Sequence, residues 1–199
     1  MVDQHNRILQ RPVELISSVS FSGQGPLLAI GTHNGMVDSR DVLKDKPEAD
    51  IKGHDSFVTS VAFQRNGRKI ASGSFDGTAR IWDASSGEEI QVLKGHKGVV
   101  HSVALSDDGQ IIATGGSDRT IRIWDAISGE QIHSFTEQES IVRSIAFNHA
   151  GSQLVSSTSG QQVTSWSLET RSKLLSINST DRGPVHSVAF SPDDRQIIA

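Results

Sequence analysis

One short apolar block returns along the chain at an almost constant spacing, and this repeat constrains the fold more than any other feature. The block reads SVSF, SVAF, SVAL, SIAF and SVAF, and its copies end at Phe21, Phe63, Leu105, Phe147 and Phe190. The first three steps are 42 residues and the last is 43. Residues 53–83 and 95–125 are identical at 16 of 31 positions, so they are copies of one duplicated unit.

The apolar segments inside each unit are too short for helices. FVTSVAF, KIASGS, TARIW and EEIQVL have five to seven residues and are separated by Gly, Asn, Asp or Ser, which favour turns. Residues 120–123 alternate polar and β-branched side chains, as strands do. Residues 111–113 are apolar on both faces, which indicates a sheet packed between two neighbours. The pattern predicts an all-β protein with four antiparallel strands in each unit.

Composition excludes several functional classes. The absence of cysteine rules out disulfides, thiol catalysis and cysteine-ligated zinc. With scattered basic residues and a net charge of −4, nucleic-acid binding through charge is not expected. No stretch approaches the roughly 18 apolar residues of a membrane span, and the first residues lack the apolar core of a signal peptide. We expect a cytoplasmic protein, with the nucleus as the alternative.

The order Gly-His, SVAF, Asp-Gly and Trp-Asp at a period of about 42 residues resembles the WD-repeat β-propeller family. The resemblance covers essentially the whole chain and is strongest over residues 53–125. It implies that each repeat supplies the outer strand d of one blade and then strands a, b and c of the next. We expect repeats at about 6–47, 48–89, 90–131, 132–172 and 173–199, the last truncated, with strands d near 7–10, 48–51, 90–93, 132–135 and 173–176.

A histidine, a hydroxyl residue and an aspartate recur in two units and are the residue types of a nucleophilic triad. Each set is followed by a tryptophan, and the two sets are His54, Ser72, Asp76, Trp82 and His96, Thr114, Asp118, Trp124. An active site need not recur in every repeat, whereas a structural element does. The family resemblance implies a hydrogen-bonded tetrad from the indole through the hydroxyl and imidazole to the carboxylate, and the donors and acceptors match in that order.

The other units depart from this pattern. The corresponding positions hold Pro12, Ile30, Asn34 and Arg40 in the first unit and Gln138, Ser156, Gly160 and Trp166 in the fourth, and Asp181 replaces the histidine in the fifth. Two further acidic motifs, 107–109 and 192–194, lie at predicted turns and lack the ligand number of a calcium loop. The histidines show no paired spacing typical of metal ligands. We therefore expect no catalytic residue, no metal and no cofactor.

The resemblance implies a docking surface on the top face of the propeller, near its central channel. Three positions in each blade point there: the start of strand a, the residue two further on and the residue before the b–c turn aspartate. These positions are Phe57, Thr59 and Phe75, then Val99, His101 and Ser117, then Ile141, Arg143 and Ser159, with Leu15, Ser17, His33, Pro184 and His186 in the flanking units. Aromatic residues and arginine are frequent anchors of interfaces. Packing of Phe57 against a neighbouring blade is an equally supported alternative.

The length corresponds to about 4.7 repeats, whereas a closed propeller has an integral number of blades. An open array exposes a strand edge and a blade face, which favours association. Three interpretations follow: a fragment of a longer protein, a ring completed by self-association or by a partner's strands, and, least favoured, a ring of five blades.

We expect a noncatalytic scaffold or adaptor that binds other proteins or peptides, and neither nucleic acid nor membranes. One alternative is the regulatory or sensor array of a larger signalling NTPase. A propeller hydrolase with a site in the central channel is a less favoured alternative, because no convergent polar set beyond the tetrads is apparent in the sequence.

Overall fold

The computed structural model describes residues 15–44, 46–136, 138–178 and 183–199, which form strands and turns and include no helix. The first sheet contains β1 (Ile16–Phe21), β2 (Leu27–Thr32), β3 (Met36–Asp41) and β4 (Lys46–Lys52). The second contains β5 (Val58–Phe63), β6 (Lys69–Ser74), β7 (Thr78–Asp83) and β8 (Glu89–Lys94). The third contains β9 (Val100–Leu105), β10 (Ile111–Gly116), β11 (Ile121–Asp125) and β12 (Gln131–Phe135). The fourth contains β13 (Val142–Phe147), β14 (Gln153–Thr158), β15 (Gln162–Ser167) and β16 (Ser172–Asn178).

Each of these sheets is antiparallel with its strands in chain order, and we call them blades one to four with strands a to d. A two-stranded sheet follows, formed by β17 (Ala189–Phe190) and β18 (Ile197–Ile198). The predicted fold class is therefore confirmed: four-stranded antiparallel blades and part of a fifth sheet. Strand d was predicted at positions that fall within β4, β8, β12 and β16. The strand predicted near residues 7–10 lies outside the described residues.

Tight turns set the register of the strands. Gly67 and Gly109 end the turns between strands a and b of blades two and three, at φ of 75° and 69°, a conformation that favours glycine. The aspartate of each Trp-Asp pair closes the turn from strand c to strand d. Asp83 accepts hydrogen bonds from the backbone N–H groups of Ser85 and Ser86, both at 2.9 Å. Bonds from the Ser85 hydroxyl and these N–H groups lower the pKa of Asp83 to about 2.

The hydrophobic core lies between the blades. Ala71, Ile81 and Leu93 of blade two pack against Val100 and other residues of blade three, and an equivalent cluster joins each successive pair. Strand b carries glycine at the closest approach: a Cβ at Gly73 would lie 2.8 Å from Cγ1 of Val100. Both faces of blades two and three are covered, as the continuous apolar runs predict.

Serine hydroxyls connect each inner strand to the next. The Ser18 hydroxyl oxygen accepts a hydrogen bond from the Val61 N–H at 3.0 Å, and Ser102 accepts one from the Ile145 N–H at 3.1 Å. Ser60 and Ser144 make equivalent bonds to the following blade. These bonds therefore join the first strands of successive units, while the blades remain separate sheets.

The face of blade one that is directed away from blade two is exposed. Val19 and Phe21 are 57% and 64% exposed, whereas their counterparts in blade two, Val61 and Phe63, are 6% and 8% exposed. The same motif thus buries its side chains where another blade packs against it.

Candidate functional site on the top face

The tetrad of blade two is a continuous hydrogen-bonded chain. The Trp82 indole N–H donates to Ser72 Oγ at 2.8 Å, and Ser72 Oγ lies 2.7 Å from His54 Nε2. His54 Nδ1 lies 2.8 Å from Asp76 Oδ2. The chain crosses blade two from strand c through strand b to the loop before strand a.

Blade three repeats the same geometry. The Trp124 indole N–H donates to Thr114 Oγ1 at 2.9 Å, which lies 2.7 Å from His96 Nε2. His96 Nδ1 is 3.0 Å from Asp118 Oδ1. Ser72 and Thr114 are both 0% exposed, so neither hydroxyl can meet a substrate in this structure.

The hydrogen bonds of the tetrad fit neutral histidines. The hydroxyl accepts from the indole, which can only donate, and its own O–H can donate to Nε2. The proton of the imidazole then sits on Nδ1, facing the carboxylate. Burial lowers the pKa of His54 although the Asp76 carboxylate acts in the opposite direction. Burial lowers the pKa of His96 in the same way.

The tetrad aspartates accept more hydrogen bonds than the sequence predicted. Asp76 also accepts bonds from the Asp55 N–H at 3.1 Å and from the Thr78 hydroxyl at 2.6 Å. Burial alone raises the pKa of Asp118, but bonds from the Lys97 N–H and from His96 hold it at about 2. A threonine two residues after each aspartate, Thr78 and Thr120, is the sequence feature that could have predicted these additional bonds.

Blade four keeps only the first bond of the tetrad. The Trp166 indole donates to Ser156 Oγ at 2.9 Å, but Gly160 replaces the aspartate and the Gln138 amide, 5% exposed, has no hydrogen-bond partner among the described residues. The loop is held by a different contact, a 2.6 Å bond between the hydroxyls of Ser140 and Ser159.

Blade one has no equivalent tetrad among its described positions. Asn34 accepts a bond from the Thr32 hydroxyl at 2.5 Å, and Arg40 pairs with Asp38 at 2.6 Å. Ile30 is buried in the position of the strand-b hydroxyl residue. Pro12 and Asp181 lie outside the described residues.

The top face contains a cavity of about 460 Å³ at the ends of the inner strands. Eight of the residues predicted for the top-face surface line this cavity, and Val58 lines it as well. The eight are Ser17 and His33 of blade one, Phe57, Thr59 and Phe75 of blade two, His101, Arg143 and His186. Side chains from five successive units therefore converge on one cavity, which we call the top-face cavity.

The aromatic wall of the cavity spans two blades. Phe57 stacks on His33 of blade one with ring centroids 5.0 Å apart and meets Phe75 edge to face at 5.7 Å. Phe57 and Phe75 are nevertheless 47% and 52% exposed. Phe57 thus contacts the neighbouring blade and also keeps an open surface, so the two alternatives weighed for it do not exclude each other.

The polar wall consists of imidazoles and one guanidinium. His101 Nε2 lies 2.9 Å from Ser117 Oγ, and burial, followed by the positive charge of Arg143, lowers the pKa of His101. The Thr59 hydroxyl lies 2.9 Å from the Gly73 carbonyl oxygen of its own blade and 2.5 Å from the Val100 carbonyl oxygen of blade three, so contacts within the array engage it. The polar wall thus presents the Arg143 guanidinium beside the neutral imidazole of His101.

Six of the predicted top-face residues do not line the cavity: Leu15, Val99, Ser117, Ile141, Ser159 and Pro184. The Val99 carbonyl accepts the Ser117 N–H at 2.8 Å, and the Ile141 carbonyl accepts the Ser159 N–H at 2.9 Å. Ser117 and Ser159 then use their hydroxyls for His101 and Ser140, so they act as supports of the rim.

The acidic turn motifs are occupied by contacts within the chain. Asp108 accepts from the Ser106 hydroxyl at 2.6 Å, Asp107 pairs with Arg65 at 2.8 Å, and Asp194 pairs with His149 at 2.9 Å. Across the described ranges, no cluster of three or more acidic or histidine side chains could hold a metal ion. No helix in that part of the chain is long and apolar enough to cross a membrane.

Comparison with known proteins identifies the family. A search of curated proteins finds no match to the chain. The family model described as "WD domain, G-beta repeat" (WD40) matches residues 45–83, 87–125 and 129–167, each segment containing strand d of one blade and strands a to c of the next. These segments cover more than half of the sequence, and each ends one residue after a strand-c tryptophan, so the chain belongs to the WD40-repeat family.

Proposed function

We propose that this chain is a noncatalytic scaffold or adaptor that docks a segment of another protein in the top-face cavity. WD40 repeats generally mediate protein–protein interactions, and the proposal assigns that role to one surface of this chain. Its main support is the convergence of equivalent positions from successive units on a single cavity of about 460 Å³, a size within the range typical of ligand sites.

The residue types in the cavity suit an interface. Phe57 and Phe75 present half-exposed aromatic rings held by contacts with each other and with His33, so little side-chain freedom is lost on binding. Arg143 offers a guanidinium at the same cavity. Aromatic and arginine side chains are the usual anchors of protein interfaces.

The tetrads support the noncatalytic assignment. Their hydroxyl groups are buried, and each imidazole is engaged on both nitrogens by bonds within its blade. A nucleophile must be reachable by the substrate, whereas these groups connect strands.

The test compares partner binding by three proteins: wild type, Phe75→Ala/Arg143→Ala, and the matched control Ile127→Ala/Arg68→Ala. Ile127 and Arg68 are exposed at the opposite end of the blades. Proteins captured by crosslinking in cells and identified by mass spectrometry are expected to bind wild type and control alike and to be lost from the top-face variant. If the top-face variant keeps its melting temperature and retains every partner, the docking role is wrong.

A further inference from the structure

The top-face cavity carries a positive charge at Arg143, in contrast to the net negative charge of the chain as a whole. Among the residues that the structure describes, the titratable ones that line this cavity are Arg143 and three histidines, His33, His101 and His186, and none of them is a carboxylate. The chain carries 23 acidic residues against 19 Lys and Arg, so an acid-free lining contributed by five units is a local property of this surface. A site of this kind favours an anionic ligand.

Arg143 is available to such a ligand. Other arginines are paired within the chain: Arg40 with Asp38 at 2.6 Å, Arg65 with Asp107 at 2.8 Å and Arg80 with Glu89 at 2.7 Å. The Arg143 side chain is exposed and makes no hydrogen bond or ion pair with any residue that the structure describes. Its planar guanidinium can donate two parallel bonds to a carboxylate.

Apolar surface lies in the same cavity. The edge-to-face pair of Phe57 and Phe75 is half exposed, and His33 stacks on Phe57 from the neighbouring blade. An aromatic or branched aliphatic side chain that covered these rings would gain burial without displacing a contact of the fold. The cavity thus combines one anion-binding group with one apolar surface.

We propose that the partner segment docked in the top-face cavity is an acidic peptide, in which Asp or Glu lies close to an aromatic or branched aliphatic residue. The carboxylate accepts hydrogen bonds from Arg143, and the apolar side chain covers Phe57 and Phe75. This inference rests on the proposed docking function and adds the chemistry of the partner, by charge complementarity with the lining.

The experiment selects ligands from a random dodecapeptide library displayed on phage, with the wild-type protein as bait. Enriched peptides are synthesised, and their dissociation constants are measured by fluorescence anisotropy against wild type, Arg143→Ala, Phe57→Ala/Phe75→Ala and the control Ile127→Ala. Thermal melting shows that each variant is folded. We expect enriched peptides to carry an acidic residue beside a bulky apolar one.

Arg143→Ala is expected to weaken binding by about tenfold or more, and Ile127→Ala to leave it unchanged. Replacing the acidic residue of the peptide by its amide should weaken binding to wild type by a similar factor. The same replacement should change binding to Arg143→Ala little, because both substitutions remove the same carboxylate–guanidinium interaction. Affinity should also fall as salt is raised.

Two contrary results are distinguishable. If peptides depend on Phe57 and Phe75 but lack an acidic residue or bind Arg143→Ala as tightly as wild type, the acidic-partner inference is wrong and docking in the cavity stands. If every selected peptide is insensitive to both the Arg143 and the phenylalanine substitutions, the cavity does not dock peptides and the proposed function fails with it.

Discussion

Blades two and three have the same strand arrangement as blade four but differ from it in their side-chain hydrogen bonds. In blade two the indole of Trp82 starts a chain that ends at Asp76, whereas in blade four the chain stops at Ser156. Blade four nevertheless has the same four strands and the same apolar contacts to its neighbour. The blade is therefore specified by its strand pattern, turns and inter-blade core, and the full tetrad adds stability to a fold that forms without it.

The largest expected contrast comes from breaking the tetrad. Asp76→Ala removes four hydrogen bonds and leaves His54, whose side chain is 0% exposed, without its carboxylate. We expect a loss of about 2–3 kcal/mol in the free energy of unfolding, because a buried polar group left unpaired carries its full desolvation cost. For a chain of this size the melting temperature should fall by about 5–10 °C.

The matched substitution in blade four is Gln138→Leu. The buried Gln138 amide has no partner among the described residues, so replacing it by an apolar side chain of similar size should change stability by less than about 1 kcal/mol. Equal losses in Asp76→Ala and Gln138→Leu, measured by denaturant unfolding, would show that the tetrad contributes no more than the incomplete set.

Acidification should affect the complete blades through their histidines. The pKa values of His54 and His96 are lowered from 6.5 in the folded protein, so below about pH 6.5 the unfolded chain binds more protons than the folded one. Stability is therefore lost as the pH falls from 6.5 towards the lowered pKa values, by up to about 1.4 kcal/mol per pH unit for each histidine. Asp76 adds to this loss only below its ordinary pKa of 3.8.

The double variant His54→Gln/His96→Gln tests this slope. Glutamine can still accept from the hydroxyl and donate to the aspartate, but it does not titrate. Between pH 6.5 and 4 its free energy of unfolding should vary less steeply than that of wild type or of the control His149→Gln, which lies at an exposed site. His101 is present in all three proteins, so its own titration cancels. Parallel profiles in the three proteins would contradict the neutral-histidine assignment.

The sequence alone predicts much of the fold because its signals are local and periodic. The spacing of SVAF blocks and turn residues predicts the strands, and the recurrence of the Trp, hydroxyl, His and Asp positions names residues that the structure joins by hydrogen bonds. The family resemblance supplied the top-face positions, of which Phe57, Phe75 and Arg143 line one cavity.

Contacts that cross from one blade to the next were not predictable in the same way. The serine of each SVAF block is visible in the sequence, but its acceptance of an N–H from the next inner strand, as Ser18 does from Val61, depends on how the blades are placed. The Ser140–Ser159 bond replaces a missing His–Asp pair with residues outside the tetrad positions. The exposure of Phe21 beside the burial of Phe63 likewise depends on what packs against each blade.

A smaller effect is expected from building the missing tetrad into blade four. Gln138→His and Gly160→Asp restore the residue types of blades two and three, and Ser56 in blade two shows that a serine at the position of Ser140 is compatible with the aspartate. A Cβ at Gly160 lies 3.2 Å from the Ser140 Cβ, so that side chain must shift slightly. We expect the double variant to gain about 1 kcal/mol, while each single variant gains nothing. Additive effects of the two substitutions in denaturant unfolding would show that no His–Asp bond forms.

The smallest expected effect concerns the residue after the aspartate position. The backbone of this residue is left-handed in all four blades. Blades one and two have glycine there, Gly35 and Gly77, at φ of 83° and 82°. Blades three and four have Arg119 and Gln161, at φ of 63° and 75°. Side chains are strained in this conformation, while glycine loses more entropy on folding, so the two effects partly cancel. Arg119→Gly and Gln161→Gly should each gain about 0.5 kcal/mol, and Gly77→Arg should lose more, because its Cβ would lie 3.1 Å from the Gly98 carbonyl oxygen. Denaturant midpoints measure all three, and a loss of stability in Arg119→Gly would mean that the arginine contributes a contact that outweighs its backbone strain.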